Sequence, residues 1–264
     1  MKEVIKVKDA AFSYNEKDKI FENISFSIRK GDIFCILGPN GTGKSTLIKC
    51  IDNMLKLKEG SVILNGEDIY SLKKTYVARE IGYIPQMHNP TFPFSVLDVV
   101  LMGRAPHLSL FSSPTEKDVK IAKDAIKTLG VSHLIEKPYT EISGGERQLV
   151  LFARVLTQQS SILLLDEPTS HLDFGNQICI LEIIEKFAST GLSIIMTSHF
   201  PDHAFLVSSK VAVMNGGGFI DMGIPDDVIT EENLKRAYGV DAQIVYMNDG
   251  ADNRRKVCVP LMNR

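Results

Sequence analysis

The chain has 264 residues, 44% of them hydrophobic and 23% charged, with a formal net charge of −2. This is material for one globular domain with a substantial core, and it excludes the basic surplus that draws a whole chain onto nucleic acid or anionic lipid. No apolar run approaches the roughly 20 residues of a spanning helix, and Met1–Lys6 lacks the apolar stretch of a secretory signal, so a cytosolic chain that reaches any membrane through another polypeptide is expected.

In chain order, segments 3–8 and 20–28 alternate as strands do, and Ile33-Phe34-Cys35-Ile36-Leu37 is a continuous apolar run suited to a strand buried on both faces. Gly38 breaks it. From Lys44 onward, Leu47, Ile48, Ile51, Met54 and Leu55 recur at helical spacing, so a glycine-rich loop stands between a buried strand and a helix. Further buried strands are predicted at 81–84, 161–165 and 193–197, with helices around 146–158 and 175–190, giving a mostly parallel, helix-covered sheet. Between about 87 and 141 the strand signals stop, and helical stretches at 95–103, 115–129 and 131–136 read as an inserted subdomain. Strand-like pieces return at 211–214 and 219–222, split by Gly216-Gly217-Gly218, and a polar tail containing Asn248-Asp249-Gly250 closes the chain. Cys35, Cys50, Cys179 and Cys258 form no CxxC pair and read as small core residues rather than a zinc site or disulfide framework.

The loop Gly38-Pro39-Asn40-Gly41-Thr42-Gly43-Lys44-Ser45 carries the first chemistry. A phosphate tail concentrates negative charge, and small residues let several backbone N–H groups turn toward it while the next helix presents its positive end. Lys44 is placed to reach the β and γ phosphates as a point charge, and Ser45 to ligate magnesium. The run Ile162-Leu163-Leu164-Leu165-Asp166-Glu167 then ends a buried strand with two acids, where an open parallel sheet places its ligand crevice. Asp166 suits the outer shell of the magnesium, and Glu167 suits a general base that polarises the attacking water. A helix cap before Pro168 explains only one of these carboxylates. The expected ligands are ATP and Mg2+.

The order of the motifs carries a resemblance. Gln86 stands alone after the loop, Ile142-Ser143-Gly144-Gly145-Glu146-Arg147-Gln148 precedes the acids, and Ser170-His171-Leu172-Asp173 and then His199 follow them. In this order the chain resembles the ATP-binding-cassette (ABC) family over nearly its whole length, to about residue 240. The resemblance implies an α/β fold: a P-loop NTPase (RecA-like) core with a mostly parallel sheet, an N-terminal antiparallel β-subdomain and an inserted α-helical subdomain. It implies an ATP-binding domain over 1–240, with the helical subdomain at about 87–158, and a C-terminal extension at 241–264 to which it assigns no role.

The same resemblance implies roles residue by residue. Tyr14 stacks on adenine, the loop from Gly38 through Thr46 surrounds the phosphates, and Gln86 joins Ser45 and Asp166 at the magnesium. His199 contacts the γ-phosphate and holds the attacking water, so Lys44, Gln86, Glu167 and His199 form the implied catalytic set. Taken alone, Tyr14 reads as an ordinary strand aromatic, Gln86 as a surface glutamine and His199 as a helix cap. Ser143, Gly144 and Gly145 are implied to contact the γ-phosphate held by the opposite protomer of a head-to-tail homodimer. Ile142 and Glu146 depart from the commonest signature, which has leucine and often glutamine there, without altering the serine or the glycines.

The finer resemblance is to cassettes of importers for iron-siderophore complexes, haem, cobalamin and related metal chelates. Segments 94–107, 144–151, 170–174 and 199–203 carry it. It implies two copies of a polytopic membrane permease, an extracytoplasmic substrate-binding protein, no nucleic-acid partner, and a place at the cytoplasmic face of the cell membrane. An exporter cassette stays open as an alternative, and a non-transport ABC ATPase acting on ribosomes or DNA is weaker, because no heptad array, second cassette or zinc module accompanies the motifs. Segment 87–107 is the expected permease contact, although Phe92, Phe94 and Leu97 suit a subdomain core equally well. His107, His133, His171 and His203 have no metal-ligand spacing.

Overall fold

A computed structural model of the chain describes residues 2–15, 18–86, 92–109, 111–248 and 254–262. The strands β1 (Glu3–Ser13) and β2 (Lys19–Arg29) pair antiparallel, and a register shift around Asp9, at φ 45°, lets β1 run beyond residues 3–8. The chain then crosses to a second layer through β3 (Ile33–Leu37) and enters α1 (Lys44–Ile51). This helix is shorter than its apolar spacing predicts. Asp52 caps it and Asn53 turns left-handed at φ 59°, so Met54 and Leu55 lie outside it and Met54 is exposed. The strand β4 (Glu59–Leu64) returns to pair with β1, and β5 (Glu67–Asp68) completes a four-stranded antiparallel sheet ordered β2-β1-β4-β5.

Next come α2 (Lys74–Glu80), β6 (Ile81–Ile84) and the helical segment α3 (Val96–Leu101), α4 (Glu116–Thr128) and α5 (Gly144–Gln158). The last three helices each open on a capping box, pairing Ser95 with Asp98, Thr115 with Asp118 and Ser143 with Glu146. The helix expected at 95–103 divides, because Met102–His107, which contains Pro106, is a 3-10 helix; the stretch at 131–136 reduces to a 3-10 turn at Ser132–Leu134. Buried Arg104 donates to Asp118 at 2.8 Å and to the Thr157 carbonyl at 3.0 Å, tying this segment to the end of α5. Leu97 packs against the core whereas Phe92 and Phe94 are exposed, and residues 87–91 of the expected permease contact lie outside the described residues.

The remaining core elements are β7 (Ile162–Leu165), α6 (Phe174–Ser189), β8 (Ser193–Ser198), α7 (Pro201–Val207), β9 (Lys210–Asn215) and β10 (Gly218–Gly223). They complete a six-stranded sheet ordered β10-β9-β3-β8-β7-β6, parallel except where β10 pairs with β9. Strand β3 lies inside it and feeds two cores with alternate residues. Phe34 and Ile36 join Phe21, Phe26 and Leu47 on one side, while Cys35 and Leu37 join Phe152 and Ile184 on the other. A strand covered on both faces has no position for a polar side chain, which accounts for its unbroken apolar run. Of the cysteines, Cys35 and Cys50 are buried and Cys258 is half-buried; Cys179 is exposed on the outer side of α6, contrary to the core expectation.

After α8 (Pro225–Val228) and α9 (Glu231–Tyr238), the expected polar tail is instead an antiparallel hairpin of β11 (Ala242–Asn248) and β12 (Arg254–Pro260). Ala242 faces Pro260 and Asn248 faces Arg254; residues 249–253 lie outside the described residues. No helix of the described residues is long and apolar enough to cross a membrane.

Candidate nucleotide site

The parallel strands β3, β7 and β8 bring the loop 38–45, the acids Asp166 and Glu167, and His199 to one edge of the sheet. Gly38 donates its N–H to the Ser198 carbonyl at 3.2 Å, which joins the loop to the strand that carries His199. A Cβ on Gly38 would run into the Met214 carbonyl, and one on Gly43 would stand 2.9 Å from Ile20 Cγ2. Gly43 also has φ 99° and Gly41 φ 81°, so the path needs glycine.

Lys44, only 4% exposed, donates to the carbonyls of Gly38 and Pro39, each at 2.8 Å. Its ammonium lies 3.6 Å from Glu167 Oε1. Burial pulls its pKa below the ordinary lysine value, and the neighbouring Glu167 opposes that pull. Thr42 closes the loop by donating to the Pro39 carbonyl at 3.0 Å.

Asp166 accepts from Ser45 Oγ at 2.9 Å and from Thr197 Oγ1 at 2.8 Å on the same oxygen. Thr197 also accepts the Glu167 N–H at 2.8 Å, so one hydroxyl orients both acids. Glu167 takes φ 48°, a left-handed conformation uncommon for a non-glycine residue. Its side chain is 6% exposed, and three groups from separate elements converge on it: Lys44, Gln86 Nε2 at 2.6 Å and His199 Nδ1 at 3.5 Å. Sequence reasoning missed Thr197, whose available signal was a hydroxyl directly after the apolar run 194–196, where the strand reaches the ligand edge.

A cleft of about 330 Å³ opens here, lined by Asn40, Gly41, residues 43–46, Gln86, Glu167 and Ile20, the last another residue that the sequence did not single out. Tyr14 is 63% exposed and its hydroxyl lies 3.4 Å from Thr46 Oγ1, which places an exposed aromatic ring at the rim. Among the described residues no group of three or more His, Cys, Asp and Glu could hold a metal ion. The oxygen donors Ser45 and Asp166, bonded to each other beside a phosphate-type loop, fit magnesium, which takes few protein ligands and fills its shell with phosphate and water.

Ser143, Gly144 and Gly145 stand apart from this cleft, whose lining includes no residue of 142–148. They open α5. Glu146 accepts from the Ser143 N–H at 2.8 Å and from its hydroxyl at 2.7 Å, and these bonds hold its carboxyl below the ordinary glutamate range. A Cβ on Gly144 would meet nothing within 4 Å, whereas one on Gly145 would stand 2.7 Å from Asn176 Nδ2. The open side at Gly144 leaves the helix N-terminus approachable from outside the chain.

The profile of the family described as ABC transporter matches residues 21–170. The chain is 34% identical over 235 residues to the molybdate import ATP-binding protein MolC of Haemophilus influenzae, covering 89% of this chain and 87% of that protein. It is 35% identical over 227 residues to the iron(3+)-hydroxamate import ATP-binding protein FhuC of Bacillus subtilis, covering 86% and 84%. A solved structure described as an inward-facing conformation of an ABC transporter of metal-chelate type superposes with a TM-score of 0.88 at 31% identity, over 99% of this chain and 98% of that one. With a phosphate loop, a strand-end acid pair and a separate glycine-rich helix start in one cassette fold, the chain belongs to the ABC transporter family as an ATP-binding subunit and is an ATPase.

Proposed function

We propose that the chain energises import of a metal chelate, a class that includes iron-siderophore complexes, haem and cobalamin, through a separate membrane permease. The relatives named for import of molybdate and iron(3+)-hydroxamate support the direction, and the hydroxamate relative together with the transporter of metal-chelate type supports the class. The observation that carries the catalytic reading is the convergence of Lys44, Gln86 and His199 on buried Glu167, beside the Ser45–Asp166 bond.

In this reading, Lys44 exchanges its Gly38 and Pro39 carbonyls for oxygens of the β and γ phosphates, and the N–H groups of residues 38–46 wrap the same tail. Adenine stacks on Tyr14. Magnesium would supply charge neutralisation at the phosphates, and Ser45, Gln86 and Asp166 would hold it. Glu167 accepts the proton of the attacking water, and His199 fixes that water's geometry at the γ-phosphate. Ser143, Gly144 and Gly145 approach the γ-phosphate held by the opposite protomer, which makes the working unit a head-to-tail homodimer with ATP between its halves.

Residues 1–240 form the ATP-binding domain, with a helical subdomain at about 87–158, and 241–264 are an extension. The permease seats on segment 87–107, in which Phe92 and Phe94 are exposed with ring centroids 6.0 Å apart, and Met102 and Pro106 help to line a groove of about 550 Å³. ATP that favours the closed dimer shifts its population, and two permease copies convert that shift into alternating access for cargo delivered by an extracytoplasmic binding protein. The chain then sits at the cytoplasmic face of the membrane, peripheral through the permease.

The test is uptake in the native cell after deletion of the gene. Loss of uptake of ferric hydroxamate, haem or cobalamin, restored by the wild-type chain but not by Glu167→Gln, is expected. Unchanged uptake of all three overturns the metal-chelate assignment.

A further inference from the structure

The site as described makes no use of Tyr238, yet its phenol oxygen stands between two parts of that site. It donates to the His199 carbonyl at 3.3 Å, and the Gly38 N–H lies against the same oxygen. Burial keeps the phenol well above its ordinary pKa, so it remains protonated and remains a donor. A phenylalanine would fill this space without the cost of burying a hydroxyl.

Tyr238 is the last residue of α9, which ends at Gly239 in a left-handed turn of φ 71°. The chain passes directly into the hairpin, and the hairpin returns to the other side of His199. Cys258 donates its N–H to Asp202 Oδ1 at 2.8 Å, in the first turn of α7. At its far side, Ile244 donates its N–H to Glu231 Oε1 at 3.1 Å at the start of α9, and Lys256 donates to the Asp226 carbonyl at 2.9 Å. The hairpin therefore spans the two helices that flank the turn at 198–200.

His199 Nδ1 is buried without a hydrogen-bond partner and stands 3.5 Å from Glu167 Oε2, and its ring packs on Phe200 with centroids 3.9 Å apart, so no hydrogen bond to the imidazole nitrogen Nδ1 sets the ring's place and the backbone that carries both rings does much of that work. We propose that Tyr238 is a positioning residue for His199, and that the C-terminal hairpin braces α9 and α7 around it. The inference rests on the reading of His199 as the γ-phosphate contact.

The experiment uses the full chain and four variants: Tyr238→Phe, Asp202→Ala, His199→Ala and the double variant Tyr238→Phe with His199→Ala. Single-turnover ATP hydrolysis, ATP affinity and thermal midpoint are read for each. Losing one hydrogen bond of ordinary net worth is expected to slow Tyr238→Phe by about 3- to 10-fold, with ATP affinity and midpoint almost unchanged. Asp202→Ala, at the surface end of the brace, should slow hydrolysis in the same direction. In the His199→Ala background the Tyr238→Phe effect should fall below about twofold, because a residue acting through His199 has nothing left to position. If His199→Ala itself hydrolyses like the wild type, the reading of His199 fails. If His199→Ala is impaired, while Tyr238→Phe hydrolyses at the wild-type rate or keeps its full loss in the His199→Ala background, the positioning role is overturned and the site reading stands. An unimpaired Asp202→Ala overturns the brace.

Discussion

The side-chain amide of Gln86 donates to the Glu167 carboxylate at 2.6 Å, so the residue at the head of the helical segment is bonded to the candidate base. The first helix of that segment begins at Val96, and Phe92 and Phe94 are exposed just ahead of it. On the proposed docking at these rings, Gln86 is the residue through which movement of the permease reaches the hydrolytic centre.

Charge substitution at the exposed rings should therefore separate transport from hydrolysis. In the double variant Phe92→Asp, Phe94→Asp, transport in reconstituted vesicles is expected to fall about tenfold or more while basal ATPase keeps at least about half its rate, since central aromatic contacts dominate interface energies. Wild-type transport by this variant removes the segment from the permease contact.

Replacing the base without changing its shape isolates its chemistry. Glu167→Gln is expected to retain ATP while slowing hydrolysis by about 10²-fold or more, because an amide cannot take the proton from water. An ATP-dependent dimer should accumulate on size-exclusion chromatography. Unchanged turnover removes Glu167 from the mechanism.

Lys44 is the one cation of the loop 38–45, and no other residue there can supply its charge to the phosphates. Lys44→Ala should weaken ATP binding by about 10- to 100-fold, the worth of a charged hydrogen bond or two, and abolish measurable turnover. Equilibrium binding of a fluorescent ATP analogue reads the first effect directly, and wild-type affinity would refute the phosphate site.

Asp52 lies half-buried at the end of α1 beside Tyr83, with no ion pair among the described residues, and burial raises its carboxyl to about 7 from a usual 3.8. A folded-state pKa above the unfolded one means that the folded chain holds the proton more tightly. The stability this proton confers is full below about pH 4 and drains away as pH rises to about 7. Asp52→Asn, neutral throughout, should melt above the wild type at pH 8, with the gap closing as pH falls toward about 4. An equal gap at both ends of that range contradicts the buried carboxyl.

Much of this was readable because the physics is local. The run 33–37, the glycines that follow it and the acids after Leu165 each carry their meaning within a few residues. The sequence was silent where partners are distant. Thr197 acquires its role only because parallel pairing of β7 and β8 sets it beside Asp166, and Tyr238 only because α9 ends beneath His199. Short or polar elements were lost for a different reason: α2 buries little beyond Val77, and charged neighbours mask the alternation in the closing hairpin. Helix α1 ends sooner than its spacing predicts, since apolar residues continue past the left-handed turn at Asn53.

In the proposed mechanism each ATP needs both protomers, and a mixed dimer tests this most directly. Lys44→Ala and Ser143→Arg homodimers should each fail to close, the first for want of phosphate charge and the second because bulk occupies the place of the opposite γ-phosphate. Paired together, the intact loop of one chain meets the intact Ser143 of the other, so one complete site returns while the second is doubly damaged. Cysteines placed across the intact site should then crosslink on addition of ATP, at a level well above either homodimer, even if turnover recovers only in part because one ATP contributes less to holding the dimer than two. A mixed dimer that crosslinks no better than either homodimer, with both chains folded and able to pair, would contradict the shared site and make each chain a self-contained ATPase.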